Sequence, residues 1–265
     1  MKYLLILIIL EILLTGSNTR KSDTNKHVRH NDDCSNGQMT SANYQYGINS
    51  RIASKYKSTN DFSIVADTNS KADNFISNGE EYLLKRLSLV AGKTDATSLN
   101  NWTKLTTDQK IKNLNYLSTS ERAYYTGILD KKGKYEVCII NNSKNIVTLQ
   151  IQDGSYICVL QAVNKNDQWQ PIQYWQLSGC GNSYYHKNIE PGSTSSFIAR
   201  IPNKGNYTTR LRYKVLGKGK FYYSNIFTGK INYCEFNEPS ISYRSKANHP
   251  RPLFKLDSLI QLAWN

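Results

Sequence analysis

The stretch GNYTTRLRYKVL, residues 205–216, decides the fold class, because apolar residues and cations alternate along it. A period of two residues is typical of a β-strand with one buried face and one exposed face. The residues expected on the core face are Tyr207, Leu211, Tyr213 and Val215. Those expected on the opposite face are Thr208, Arg210, Arg212 and Lys214. The alternation therefore predicts an antiparallel sheet with a basic outer face.

Short apolar runs separated by turn signals surround this strand. They span residues 135–141, 146–152, 156–163, 169–177, 195–201, 207–215, 220–227 and 231–236. Runs spaced by about ten residues are typical of an antiparallel sandwich. Asp153-Gly154 predicts a tight hairpin between the second and third runs, since both central residues of the favoured turn need a positive φ. Residues 131–236 are therefore predicted to form an immunoglobulin-like β-sandwich.

Residues 51–130 are predicted to form a small helical subdomain before the sandwich, which makes the expected fold class α+β. The segment 79–91 opens with two acidic residues and places Tyr82, Leu83, Leu87 and Val90 on one face. This pattern is typical of an amphipathic helix. Capping boxes at Thr106 with Gln109 and at Ser118 with Glu121 predict two more helix starts.

The amino-terminal sequence predicts export. Residues 1–16 combine a positive start, an apolar run and small residues, as a secretory signal peptide does. Ser17 stands where a lipoprotein cleavage box has the cysteine that takes the lipid, so lipidation is left open. No later segment is long and apolar enough to cross a membrane. The expected location is the periplasm, the cell surface or the extracellular space.

The two polar ends are expected to lie outside the main fold. Residues 17–50 are predicted to be a disordered leader. Potential metal ligands cluster in it, but a polar leader offers no fixed geometry, so neither a metal site nor a cofactor is predicted. These ligands are His27, His30, Asp32, Asp33 and Cys34. Residues 237–265 are predicted to be an extension whose apolar end docks onto a folded part.

Charge and cysteines also bound the possibilities. The formal net charge is +14, and residues 131–265 hold 18 Lys and Arg against 7 Asp and Glu. The expected sandwich contains four cysteines, Cys138, Cys158, Cys180 and Cys234. Two disulfides among them would allow three pairings, and spacing does not choose between these or buried thiols.

Three segments of the expected sandwich resemble a family of exported bacterial proteins and lipoproteins without an assigned activity. They are WQPIQYW at residues 169–175, CGNSY at 180–184 and YYSN at 222–225. The resemblance covers the sandwich alone and implies an immunoglobulin-like β domain in the cell envelope. It carries no site residues across.

The basic outer face is the first candidate site. Seven cations and no acidic residue lie between positions 200 and 220: Arg200, Lys204, Arg210, Arg212, Lys214, Lys218 and Lys220. Such a field would attract a polyanion, although a solvated charged face is ordinary on an antiparallel sheet. Aromatic residues form the second candidate, as a stacking platform for sugars or as core. Tyr174 and Trp175 are the aromatic residues singled out as ligand-binding candidates, and strand alternation predicts that one of them is exposed or covers a neighbouring element.

No sequence motif indicates catalysis. The chain has no HExxH, no GxSxG and no Gly-rich dinucleotide fingerprint. The expected function is therefore non-catalytic binding of a polyanion or glycan at the cell envelope. The alternative is a secreted hydrolase with its site between the helical and β parts. Ligand identity and oligomeric state stay open.

Overall fold

The computed structural model describes residues 40–42, 44, 47, 60–72, 75–91, 101–178, 183–237 and 253–254. All of them belong to one compact unit, residues 33–265. The α-helices are α1 (Asn78–Ala91), α2 (Thr107–Lys112) and α3 (Thr119–Leu129), and residues 101–104 are also helical. Single 3-10 turns span Asn113–Tyr116 and Tyr233–Phe236.

The strands, in chain order, are β1 (Thr40–Ser41), β2 (Phe62–Lys71), β3 (Lys134–Asn141), β4 (Val147–Gln152), β5 (Ser155–Tyr156), β6 (Cys158–Val163), β7 (Trp169–Pro171), β8 (Gln173–Gln176), β9 (Tyr184–Ile189), β10 (Thr194–Arg200), β11 (Tyr207–Leu216), β12 (Phe221–Tyr223), β13 (Phe227–Ile231) and β14 (Leu253–Phe254). The chain is thus α+β, as predicted, with mostly antiparallel sheets.

β11 is the centre of the largest sheet. The order of that sheet is β12-β11-β6-β7, and β13 pairs with β11 beyond the end of β12. Three smaller sheets have the orders β10-β3-β2, β5-β4-β9 and β1-β8-β14. Named strands pair antiparallel except β1 with β8. The alternating stretch from which the fold class was inferred is therefore a central strand.

The sheets share one core. The hydroxyls of Tyr135 on β3 and Tyr213 on β11 lie 2.8 Å apart, and the Phe197 ring packs edge-on against Tyr213 at 5.4 Å. Burial raises the pKa of Tyr213, and also that of Tyr44, whose ring centroid is 5.5 Å from that of Tyr213. These hydroxyls therefore stay neutral, and their mutual hydrogen bonds satisfy buried polar atoms.

The predicted hairpin is confirmed. Asp153 and Gly154 have φ values of 50° and 75° and connect β4 to β5. The predicted strand at 231–236 is wrong beyond its first residue. There the Asn232 N–H donates to Glu235 Oε1 at 2.9 Å, and this capping interaction stabilises the 3-10 turn Tyr233–Phe236 instead.

Two segments expected to lie outside the sandwich contribute to its core. β2 lies within the range predicted as helical, yet it pairs with β3 and buries Ile64 and Ala66. Ala42 and Tyr44 come from the predicted leader and are buried in the same core. Residues 1–39 and most of 43–59 lie outside the described residues, and with them the potential ligands between His27 and Cys34.

The predicted helix at 79–91 is confirmed, both capping boxes form, and a helix begins directly after each of them, as predicted. The predicted packing face of α1 is partly wrong, since Leu83 is fully buried but Tyr82 and Val90 are 67% and 43% exposed. The buried face of α1 instead carries Glu80, Leu83, Leu84 and Leu87, which are spaced as one side of a helix, and Tyr82 and Val90 lie off this face. Within the described residues, no helix has the length and apolar character needed to cross a membrane.

Two further expectations concern the chain end and the cysteines. Leu253 and Phe254 pair with Gln176 and Trp175, so these two residues of the predicted extension join β8, as expected of its apolar end, and the residues after them lie outside the described part of the chain. Cys138 and Cys158 are buried thiols, and burial raises the pKa of Cys158. Cys234 is disulfide-bonded, and its partner lies outside the described residues.

Candidate functional site

A cleft of about 1040 Å³ opens between α3 and the ends of strands β3, β10 and β13. Five cations line it, whereas Glu235 is its only carboxylate among the described residues. The cations are Lys132, Lys134, Arg200, Lys204 and Lys230. A concave surface with such an excess of positive charge is suited to an anionic ligand.

Backbone pairing brings these cations together from distant parts of the sequence. Arg200 at the end of β10 is the register partner of Lys134 at the start of β3. The Ile201 N–H donates to the Gly133 carbonyl at 2.9 Å, and Gly133 has a φ of 67°. This left-handed conformation favours glycine and lets the turn approach β10 closely. One wall of the cleft therefore depends on the glycine within the run Lys131-Lys132-Gly133-Lys134.

The opposite wall is fixed in the same way. The Lys230 N–H donates to the Pro202 carbonyl at 2.7 Å, and Asn203 forms a bridge with Lys230. The loop that carries Lys204 is thus attached to β13. Next to this wall, the 3-10 turn that holds Glu235 also contains the disulfide-bonded Cys234.

The charges inside the cleft are only partly compensated. Burial lowers the pKa of Lys134, Asp130 opposes that shift, and Arg200 adds to it. Lys134 Nζ donates to the backbone carbonyl of Asp130, which carries no full charge. Burial raises the pKa of Glu235. Adding an anion would therefore relieve repulsion between Lys134 and Arg200.

The floor of the cleft is neutral. Tyr44 and Gln173 lie there, and the Tyr44 hydroxyl donates to Gln173 Oε1. The same oxygen accepts from the Leu160 N–H at 2.9 Å. Because the polar atoms of the floor already bond to one another, the acidic groups of a ligand would bind at the rim.

The predicted basic outer face is not a row of solvated cations. Arg210 is exposed, but it forms an ion pair with Asp167. Lys214 is buried, with only 6% of its surface exposed, and its Nζ lies 4.1 Å from the Phe221 ring centroid. Alternation placed both residues on the outer face correctly, yet β12 covers Lys214 with an aromatic side chain.

Arg212 lies between two aromatic rings. The centre of its guanidinium is 4.2 Å from the Trp169 ring centroid and 4.3 Å from that of Tyr223. Its Nε donates to Gln161 Oε1 at 3.0 Å, and burial lowers its pKa. The predicted basic and aromatic candidates are therefore one surface, in which the rings stack on the cation.

The remaining cations of the predicted basic outer face lie in two places. Arg200 and Lys204 line the cleft. Lys218 and Lys220 are exposed in the turn between β11 and β12, where Lys220 Nζ lies 4.8 Å from the Tyr222 ring centroid.

Tyr174 and Trp175 are both buried, with exposed fractions of 9% and 2%, so of the two alternatives predicted for this pair the exposed one is wrong. Trp175 Nε1 donates to Gln152 Oε1 at 2.8 Å, which fixes the indole within the core. Both faces of β8 are covered at Tyr174 and Trp175, so strand alternation does not separate an exposed face from a buried face there. Neither ring is therefore available to stack on a sugar.

Sequence reasoning missed most of the cleft. Lys132 and Lys134 lie at the predicted start of the sandwich at residue 131, and neither they nor Lys230 and Glu235 are among the predicted site residues. The signal present in the sequence was the charged run with its central glycine. Its spatial partner, the end of β10, follows only from the pairing of β3 with β10.

Within the described part of the chain, no group of three or more His, Cys, Asp or Glu side chains is placed to hold a metal ion. A scan of protein-family models, a search of curated proteins and a search of solved structures each returned no match to this chain.

Proposed function

We propose that this protein binds a polyanion without catalysis, and that the basic cleft is its binding site. The observation that carries the proposal is the imbalance of five cations against the single carboxylate of Glu235 around one concavity. Arg200 and Lys204 belong both to the cleft and to the basic outer face singled out in the sequence. The proposed site therefore replaces most of the basic outer face and keeps two of its residues.

The proposed setting is the exterior of a bacterial cell, at the envelope surface or beyond it. The signal-peptide pattern of residues 1–16 supports this, and so does the disulfide at Cys234, because disulfides persist in oxidising compartments. An exterior protein with a basic cleft would meet acidic polysaccharides and phosphate-bearing envelope polymers.

The finer fold is also a proposal. We propose an immunoglobulin-like arrangement in which the sheet β10-β3-β2 faces the sheet around β11. The contact of Phe197 and Tyr135 with Tyr213 across the core supports it. The short sheet β1-β8-β14 would then be an addition at one edge.

The test is retention of the purified protein on an immobilised sulfated polysaccharide across a salt gradient. The double variant Arg200→Glu, Lys204→Glu reverses two exposed cations of the cleft. It is expected to bind at least about tenfold more weakly at physiological salt, since charge reversal replaces attraction by repulsion.

Lys218→Glu, Lys220→Glu is the matched control. It changes the net charge by the same amount at exposed residues outside the cleft. If both pairs weaken binding equally, net charge alone explains retention and the cleft is not the site. If neither pair changes retention, polyanion binding through these cations is wrong.

A hydrolase with its site between the helical and β parts is the second candidate. The cleft does lie beside α3, and the raised pKa of Glu235 is suited to a general acid. Glycoside hydrolysis usually needs a second carboxylate, however, and the cleft has none among the described residues. Turnover of an acidic oligosaccharide by the native protein, abolished in Glu235→Gln, would favour this candidate over pure binding.

A further inference from the structure

We infer that the ligand of the cleft is a linear acidic polysaccharide, and that its chain continues from the cleft across β13 onto the outer face of the β11 sheet. This inference rests on the proposed function, because it extends the same site. It adds a second contact region formed by Arg210 and Arg212, and it names the class of ligand.

Lys230 connects the two regions. It lines the cleft, and it is also the register partner of Thr208 on β11. Arg210 is the next residue of β11 on that face and pairs with Thr228. Lys230 and Arg210 are therefore diagonal neighbours on one face, with Cα atoms about 7–8 Å apart.

Arg212 extends this row by one more step of about 7 Å along β11. Its guanidinium is held between Trp169 and Tyr223, so little conformational entropy remains to be lost when it binds an anion. It forms no ion pair with a carboxylate among the described residues. The row from the cleft to Arg212 thus presents cations at nearly regular spacing.

The aromatic neighbours of Arg212 favour a sugar backbone over a simple polyphosphate. Tyr223 is 44% exposed, and Trp169 is half-buried. Exposed edges and faces of such rings pack against the apolar faces of sugars, while the cation between them binds a sulfate or carboxylate. A polyphosphate would use the cations only.

The carboxylate of Asp167 lies on this route and pairs with one of its cations. It is 81% exposed and pairs with Arg210, which is 54% exposed. A polysaccharide that reaches Arg210 must displace Asp167 or tolerate its charge. Removing this carboxylate should therefore strengthen binding of long chains and leave short chains unaffected.

The test is a length series of heparin-derived oligosaccharides, from tetrasaccharide to dodecasaccharide, titrated against the full protein by calorimetry. The affinity of the native protein is expected to rise with length beyond the tetrasaccharide. Asp167→Asn should increase the affinity for the dodecasaccharide by about threefold, and Arg210→Glu should reduce it by about tenfold. Asp167→Asn should leave tetrasaccharide binding, which the cleft provides, unchanged, and Arg210→Glu should weaken tetrasaccharide binding by less than it weakens dodecasaccharide binding.

The outcomes separate this inference from the proposed function. Tetrasaccharide binding that is lost in Arg200→Glu, Lys204→Glu but shows no gain with length would leave the cleft as a site and overturn the extended route. Absence of binding at every length would overturn both. Polyphosphate or single-stranded DNA of matched charge binding as tightly as the dodecasaccharide would overturn the assignment to polysaccharide.

Discussion

Lys131 and Lys134 belong to one charged run, but they differ in their burial and in the groups that they contact. Lys131 Nζ is buried and lies 3.1 Å from Glu80 Oε2. Lys110 and the indole of Trp102 contact the same carboxylate, each at 2.8 Å from Oε1. Lys134 is half-buried and donates only to the carbonyl of Asp130.

The difference shows how to distinguish structural cations from cations available to a ligand. A buried cation with an internal carboxylate holds elements together, and here Glu80 connects α1 to α2, to the helical residues 101–104 and to Lys131. A cation without such a carboxylate keeps most of its capacity to bind an external anion. Burial and charge count alone would not separate the two groups.

Removing the internal carboxylate should cause the largest effect. Glu80→Gln leaves two buried lysines without a counter-charge, and breaking a buried ion pair in this way typically costs about 3–5 kcal/mol. We expect the free energy of unfolding in urea to fall by that amount. Polysaccharide binding by the fraction that remains folded should be unchanged.

Glu81→Gln is the control for this substitution. Glu81 pairs with Lys85 on the exposed side of the same helix at 3.1 Å. Exposed pairs contribute little, so the loss should stay below about 0.5 kcal/mol. Similar losses in the two variants would mean that Glu80 does not organise the helical part.

Lowering the pH should protonate the same group, the carboxylate of Glu80. Burial alone would raise the pKa of Glu80, but Lys131 and Lys110 outweigh it and lower the pKa below its ordinary value of 4.5. A carboxyl whose folded pKa is lowered stabilises the protein fully above its unfolded pKa. Its contribution is therefore expected to be lost as pH falls below 4.5, and the stability gap between the native protein and Glu80→Gln should narrow there.

Arg212 is intermediate between a structural cation and a cation available to a ligand, because its partners are aromatic rings instead of a carboxylate. A double-mutant cycle with Trp169→Ala and Arg212→Ala should give a coupling energy of about 0.5–2 kcal/mol in urea unfolding. The corresponding cycle for Arg210 and Asp167, both exposed, should give less than about 1 kcal/mol. A larger coupling for Arg210 than for Arg212 would contradict the view that stacking fixes Arg212.

The sequence supported the fold class because the signals were local. Strict alternation around Tyr213, the turn at Asp153-Gly154 and the two capping boxes depend on neighbouring residues. β2 was missed because its burial depends on distant pairing with β3. The burial of both Tyr174 and Trp175 was not foreseen because alternation assumes one open face, and both faces of β8 are covered at these two residues.

The cleft was less predictable for the same reason. Arg200 and Lys134 are far apart in sequence and meet only through the register of β3 with β10. Composition indicated a basic second half, but it did not indicate that Lys214 would be covered by Phe221 while Lys134 remained only partly compensated. Predicting where these charges lie in space therefore required knowledge of the strand pairings.

The smallest expected effect concerns the protonation of Lys134 itself. Its folded pKa lies below the ordinary value of 10.5, so it loses its proton earlier than an exposed lysine as pH rises. Anion affinity should therefore begin to fall at a pH below 10.5, by up to about fivefold for one lost ion pair. Lys134→Arg keeps the charge throughout and should flatten the profile of tetrasaccharide affinity against pH. Identical profiles in the two proteins would mean that Lys134 does not contact the anion, and that the cations of the loop and of β13 bind it instead.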